Sequence, residues 1–226
     1  MARLRNVQRW WSKPEAQALV ERVAVGHGDV AMSVEPLALF GRTAPLEVEL
    51  GSGKGEFLIE QALATPHRDF LGVELDAAVA RLFALRAARA GCVNLRVLRA
   101  DGRTVVNLLL PDRSVTVYHV YFPDPWPKLR HLKHRLFSSQ FSSGLMRTLA
   151  PGGTVCVATD VGGYAGEMFA QLNAAGLRRI DDCTPGGRST GFARKYLGAG
   201  KPVFEACFAL SSEVSMEQPA RPAAHP

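Results

Sequence analysis

Apolar positions alternate and wind by turns along this chain. LEVEL, residues 46–50, sets Leu46, Val48 and Leu50 on one side and two glutamates on the other, which is the period of a strand. It stops at GSGKG. EFLIEQALA (56–64) then has helical spacing and ends before Pro66. DFLGVELD (69–76) predicts a second strand, and AAVARLFALRAARAG (77–91) a helix with a glycine at its end. NLRVLRAD (94–101) and SVTVYHVYF (114–122) predict a third and a fourth strand, the latter halted by Pro123. A helix over 136–149, interrupted in pattern by Gly144, precedes a fifth strand over 153–160 and a helix over 164–176. Residues 177–183 and 202–210 predict two last strands.

Strands alternating with helices imply a parallel sheet wound on both faces. The expected domain covers residues 34–210. Residues 1–33 form a partly helical extension with no role legible in their pattern, and the Pro/Ala/Ser-rich tail, 211–226, is expected to be disordered. No internal repeat is present.

Composition narrows the classes. The 226 residues suit one sizeable α/β domain, and a net charge of +6 fits an anionic partner without requiring one. Cys92, Cys156, Cys183 and Cys207 are widely spaced, with no CxxC pair, so neither a metal site nor a disulfide framework is expected. No apolar run reaches membrane-spanning length, and MARLRNVQRWW lacks the features of a signal peptide. A soluble, cytoplasmic protein is the expectation.

The candidate chemistry begins at ELGSGKG, between the first strand and the first helix. Gly51, Gly53 and Gly55 do not make the G-x-G-x-x-G of a dinucleotide fold, because the third glycine comes one residue early. The phosphate-binding G-x-x-x-x-G-K-[ST] also fails. What remains is acidic-x-G-x-G-x-G with Glu49 leading. A carboxylate there repels phosphate and attracts an ammonium group, although a plain glycine-rich turn also accounts for the motif alone. Glu74 ends the second strand and Asp101 the third, so three acids fall at successive strand ends, where open sheets bind ligands.

The fourth strand runs into FPDPWPKLRHLKHR (122–135). Prolines on both sides of Asp124 stiffen its backbone. Lys128, Arg130, Lys133 and Arg135 can neutralise phosphates, with Trp126 available for stacking. By itself the basic run also reads as a solvated face. Taken with Asp124, it fits a carboxylate reading the Watson–Crick edge of an unstacked purine. Guanine presents two donors there and leaves N7 free on the other side.

ELGSGKG resembles the S-adenosylmethionine loop of class I methyltransferases, and the FPDPW run resembles the signature of the tRNA (guanine-N7)-methyltransferases. ELGSGKG, FLGVELD, NLRVLRAD, FPDPW, ATDVGGYA and RSTGFARKYLG follow in family order across 34–210. The resemblance implies a Rossmann-like, doubly wound, mostly parallel seven-stranded sheet with an antiparallel edge strand. It implies S-adenosylmethionine as methyl donor and N7 of the variable-loop guanosine, position 46, of tRNA as acceptor. By the same resemblance Glu49, Gly51, Gly53, Gly55, Glu74 and Asp101 bind the donor, and Asp124 borders it as the catalytic residue. Lys128, Arg130, Asp160 and Thr190 contact the RNA or its target. No metal is implied, and monomer and homodimer stay open.

Four positions depart from the family pattern. Ala193 stands where Glu follows Thr190, Ser52 and Lys54 replace apolar residues, and His134 replaces an arginine. An exocyclic-amine methyltransferase and a non-catalytic RNA-binding protein on the same fold remain the alternatives.

Overall fold

The computed structural model describes residues 14–25, 33–183, 186–190, 193, 200 and 202–210. The tail expected to be disordered, 211–226, lies outside the described residues, as do parts of 1–33 and of RSTGFARKYLG.

Helix α1 (Pro14–Glu21) leads to β1 (Ala24–Val25), and a short α2 (Pro36–Phe40) precedes β2 (Leu46–Leu50). Then come α3 (Glu56–Ala64), β3 (Asp69–Glu74), α4 (Ala77–Arg89) and β4 (Leu95–Arg99). A single helical turn, α5 (Gly102–Thr104), widens into a π-helical stretch (Val105–Leu109) before β5 (Val115–Tyr121). A 3₁₀ segment (Leu129–His134), α6 (Ser139–Thr148), β6 (Leu149–Thr159) and α7 (Gly162–Ala174) follow. The described chain finishes with β7 (Leu177–Ile180), a 3₁₀ turn (Gly186–Ser189) and β8 (Phe204–Leu210).

The sheet has eight strands in the order β1-β4-β3-β2-β5-β6-β8-β7. All pairs are parallel except those made by β8, which runs against both β6 and β7. The Rossmann-like, doubly wound expectation is met, with one strand added. That strand is β1, two residues laddered on Val97 and Leu98, too short to leave a periodic trace. The antiparallel strand sits one place in from the margin. Between β2 and β5 the strand order reverses, which fixes the crevice for a ligand at their C-terminal ends.

Two apolar layers pack on the sheet. Leu46, Val48, Leu50, Tyr118 and Val120 face the side covered by α6, α7 and the π-helical stretch. Phe57, Phe83, Ala84 and Tyr121 belong to the other layer, under α3 and α4. Gly144 does not break α6, because the residue is needed for close approach. A Cβ there would lie 2.3 Å from Asn107 Oδ1. The helix starts at Ser139 rather than 136 because the Ser138 hydroxyl accepts the Phe141 N–H at 3.3 Å.

The cysteine expectation is corrected. Cys183 and Cys207 form a disulfide, and the sulfurs of Cys156, Cys183 and Cys207 lie within 4.8 Å of one another. Chain spacing hid this, since the β6–β8 ladder makes Cys156 and Cys207 direct cross-strand partners. No described helix is long and apolar enough to cross a membrane.

Candidate active site

β2 is buried along its whole length, so Glu47 and Glu49 point into the protein beneath α3, not into solvent. Burial alone would raise the Glu47 carboxyl, but His119 and the Arg68 guanidinium hold it below the usual range. Among the described residues Glu49 has no such cationic partner. Its side-chain oxygen Oε2 is buried and makes no hydrogen bond among the described residues. Burial pushes its carboxyl up to about 8, with Ser52 opposing and the Glu74 charge adding to the rise.

The glycine loop folds back over β3. Gly51 and Ser52 N–H groups both donate to the Val73 carbonyl, at 2.9 and 3.1 Å. Glu74 completes the loop by accepting the Gly53 N–H at 2.9 Å and the Asp76 N–H at 2.9 Å. Gly55 caps α3 with φ of 70°, and a Cβ there would fall 1.9 Å from Phe83. Its glycine is therefore required by packing and by the left-handed backbone.

Two cavities open at these strand ends and share Gly51, Tyr121 and Phe122 in their walls. One, of about 460 Å³, is walled by Glu49, Gly53, Lys54, Phe57 and Thr190 among others. The second, of about 480 Å³, takes in Glu74, Asp101, Arg103, Asp124, Trp126 and His134. The predicted acids Glu49, Glu74, Asp101 and Asp124 are thus brought to one crevice, together with Thr190. The walls of the two cavities do not include Gly55, Lys128, Arg130 or Asp160. Lys128, just before the 3₁₀ segment, and Arg130, within it, are exposed, and Asp160 is half-buried just after β6.

Asp101 is not a bare acceptor. Arg103 grips it through Nε at 3.1 Å and through a second guanidinium nitrogen at 2.6 Å. That pairing holds the Asp101 carboxyl below its ordinary value. Thr190 is likewise engaged, donating to Gly187 O at 2.9 Å and accepting the Ala193 N–H at 3.1 Å. Ala193 itself is fully buried.

The FPDPW loop is held in an unusual backbone. Phe122 and Trp126 have φ of 53° and 40°, left-handed values that cost L-residues about 1–2 kcal/mol each. Arg135 braces it from behind, donating to Pro125 O at 2.6 Å, stacking 5.0 Å over Tyr164 and pairing with Glu167. Arg135 therefore leaves the group of phosphate-neutralising cations proposed from the sequence. Trp126 packs 5.2 Å from His134 and edge-on to His131 at 5.6 Å.

Sequence reasoning missed Tyr121, Phe122 and Arg103. The first two stand directly before Pro123, and the two-residue period of β5 puts Tyr121 on the same side as His119. Nothing in the sequence signals Arg103.

The residues suit S-adenosylmethionine. The Glu49 oxygen without a partner among the described residues is an acceptor suited to a cation, and Glu74 keeps lone-pair capacity for hydroxyls beyond its two backbone bonds.

Residues 43–205 match a family described as "Putative methyltransferase". A protein of Psychromonas ingrahamii named tRNA (guanine-N(7)-)-methyltransferase is 41% identical over 138 residues, 61% of this chain and 57% of its own length. A protein of the same name from Halorhodospira halophila is 38% identical over 184 residues, 78% of this chain and 80% of that protein. Among solved structures, the aminoglycoside resistance methyltransferase NpmB1 superposes with a TM-score of 0.56 at 16% identity, over 79% of this chain and 95% of that one. A 16S rRNA (adenine(1408)-N(1))-methyltransferase from Catenulisporales acidiphilia gives 0.56 at 21% identity, over 80% and 93%. Those two show a shared fold. Identity of 38% carried through most of both chains shows more, and the chain belongs to the tRNA (guanine-N7)-methyltransferase family.

Proposed function

We propose that this protein transfers the methyl group of S-adenosylmethionine to N7 of a guanosine in tRNA, the variable-loop residue at position 46, in the cytoplasm. One observation carries the reading. Asp124 stands in the same cavity wall as Glu74 and Asp101, and the exposed Lys128 and Arg130 follow it along the chain.

Bound in this crevice, S-adenosylmethionine supplies an electrophilic methyl on a sulfonium. The chain's own residues do the rest. Glu49 offers its free oxygen to the ammonium group, and Glu74 accepts from ribose hydroxyls while keeping its grip on the glycine loop. Asp101 lies where adenine is expected, its charge balanced by Arg103. Asp124 accepts from the two donors on guanine's Watson–Crick edge, which leaves N7 on the opposite side. N7 carries no proton, so no general base is needed. Alignment, together with stabilisation of the positive charge the ring acquires, accounts for the catalysis. Lys128 and Arg130 neutralise phosphates outside the cavities, a position suited to a substrate as large as tRNA. Asp160 and Thr190 are the remaining substrate contacts.

The test is incubation with labelled donor and unmodified tRNA, followed by nucleoside analysis. 7-Methylguanosine is expected. A methyl group on an exocyclic amine would instead make Asp124 the reader of a different target atom. Tight tRNA binding without any transfer would mean a binding protein.

A further inference from the structure

A chain of polar groups, buried at Glu47, His119 and Tyr121, runs along one face of the sheet to the crevice, and the reaction as described does not use it. Arg68 donates to Glu47 at 2.6 Å, and the other Glu47 oxygen lies 2.8 Å from His119 Nε2. His119 Nδ1 lies 2.8 Å from the Tyr121 hydroxyl, which accepts the Gly186 N–H at 2.9 Å. With a neutral His119 ring, hydrogen-bond chemistry gives the chain a direction. The Glu47 carboxylate only accepts, so His119 Nε2 carries the proton toward it. In the neutral ring Nδ1 is then bare and accepts the phenol's O–H. The phenol oxygen keeps its lone pairs for the Gly186 amide.

Gly186 has no other way to sit there. A Cβ on it would lie 2.3 Å from Phe57 and 3.1 Å from the Tyr121 hydroxyl. Phe57 in turn meets His119 and Tyr121 edge-on, at centroid distances of 4.9 and 5.2 Å. The 3₁₀ turn that starts at Gly186 leads directly to Thr190, and Thr190 and Tyr121 wall the same cavity as Glu49.

We propose that Tyr121 is a positioning residue: its hydroxyl, oriented by His119 and Glu47, clamps the 186–190 turn so that Thr190 closes the methyl-donor cavity. The clamp acts on the donor side of the crevice and leaves the phosphate contacts of the exposed basic segment untouched. The assignment of the cavity to the donor rests on the proposed function; the clamp itself does not.

Tyr121→Phe removes the hydroxyl and keeps the ring against Phe57. Hydrogen–deuterium exchange at the Gly186 amide should speed up about five- to tenfold, the loss of one hydrogen bond, with the melting temperature of the sheet little changed. The KM for S-adenosylmethionine should rise severalfold while the salt dependence of tRNA binding, set by Lys128 and Arg130, stays at the wild-type value. His119→Gln can still donate to Glu47 but withdraws the phenol's acceptor. It should loosen Gly186 to a similar extent, and the double variant should be no worse than either single one. If Tyr121→Phe fails to fold, His119→Gln carries the test. Wild-type exchange at Gly186 in a folded variant overturns the clamp whether or not the protein methylates tRNA. Faster exchange in a protein that transfers no methyl group would leave the clamp standing and remove the proposed function instead.

Discussion

Donor binding should expel a proton from Glu49. Burial pushes this carboxyl up to about 8, so at pH 7 the free protein holds it roughly ten to one in the protonated form. A cation placed against the unpaired oxygen reverses that preference. Binding at pH 7 therefore costs about 1.4 kcal/mol to remove the proton and releases close to one proton per donor bound. Titration calorimetry in two buffers of different ionisation enthalpy reads the proton number directly. Glu49 should contribute about 0.9 released at pH 7, a share that falls towards zero above pH 9. The donor's own amino group titrates near pH 8 and contributes an uptake of opposite sign, about 0.1 at pH 7 and close to one above pH 9, so the net reading is about 0.8 released at pH 7, crosses zero near pH 8 and turns to uptake above it. Glu49→Gln isolates the difference. It should abolish the release and weaken binding at pH 8 by roughly ten- to a hundredfold, the loss of a charged hydrogen bond. The same shift governs the free protein's stability. Between the ordinary carboxyl value and about 8 the folded state binds one proton more than the unfolded state. Stability therefore falls as pH rises through that window, by a few kcal/mol at most, and Glu49→Gln should flatten the slope. No proton release from the wild type at pH 7, or an equal release from Glu49→Gln, would refute the reasoning.

Lys128→Ala and Arg130→Ala should each weaken tRNA binding and reduce its log–log salt slope by up to about one, with donor affinity unchanged; slopes equal to wild type would make the 3₁₀ segment a solvated face. Asp124→Asn presents a donor to guanine's donors, and single-turnover methylation should slow ~10²-fold or more with the fold intact. Near-wild-type rates would leave Asp124 as a turn residue only. Ala193 is fully buried with its N–H held by Thr190, so Ala193→Glu should lose about 1–3 kcal/mol by thermal melting and reduce methylation. A gain in activity would show that a carboxylate is welcome there after all.

Much of the fold was legible because local patterns and global topology agree. Alternation in LEVEL, winding in 77–91 and the glycine after it each predict the element found, within a few residues. The four acids of the crevice were legible for the same reason. A parallel sheet places its strand ends together, so acids at successive ends must meet. FPDPW was readable because proline restricts backbone locally, whatever surrounds it.

The sequence by itself therefore determined the strand–helix rhythm, the sheet and the acids at its rim. Tertiary structure decided what those residues experience. Alternation in β2 says that Glu47 and Glu49 share a face, but only the covering of that face by α3 makes it an interior. There the same residue type is paired and ionised at position 47, and unpaired and raised to about 8 at position 49. Burial and partners are sums over distant segments, so no local pattern records them. Long-range placement likewise brought Gly186 onto Tyr121, turned Arg135 onto Pro125 O and the Tyr164 ring, and set Cys207 beside both Cys156 and Cys183.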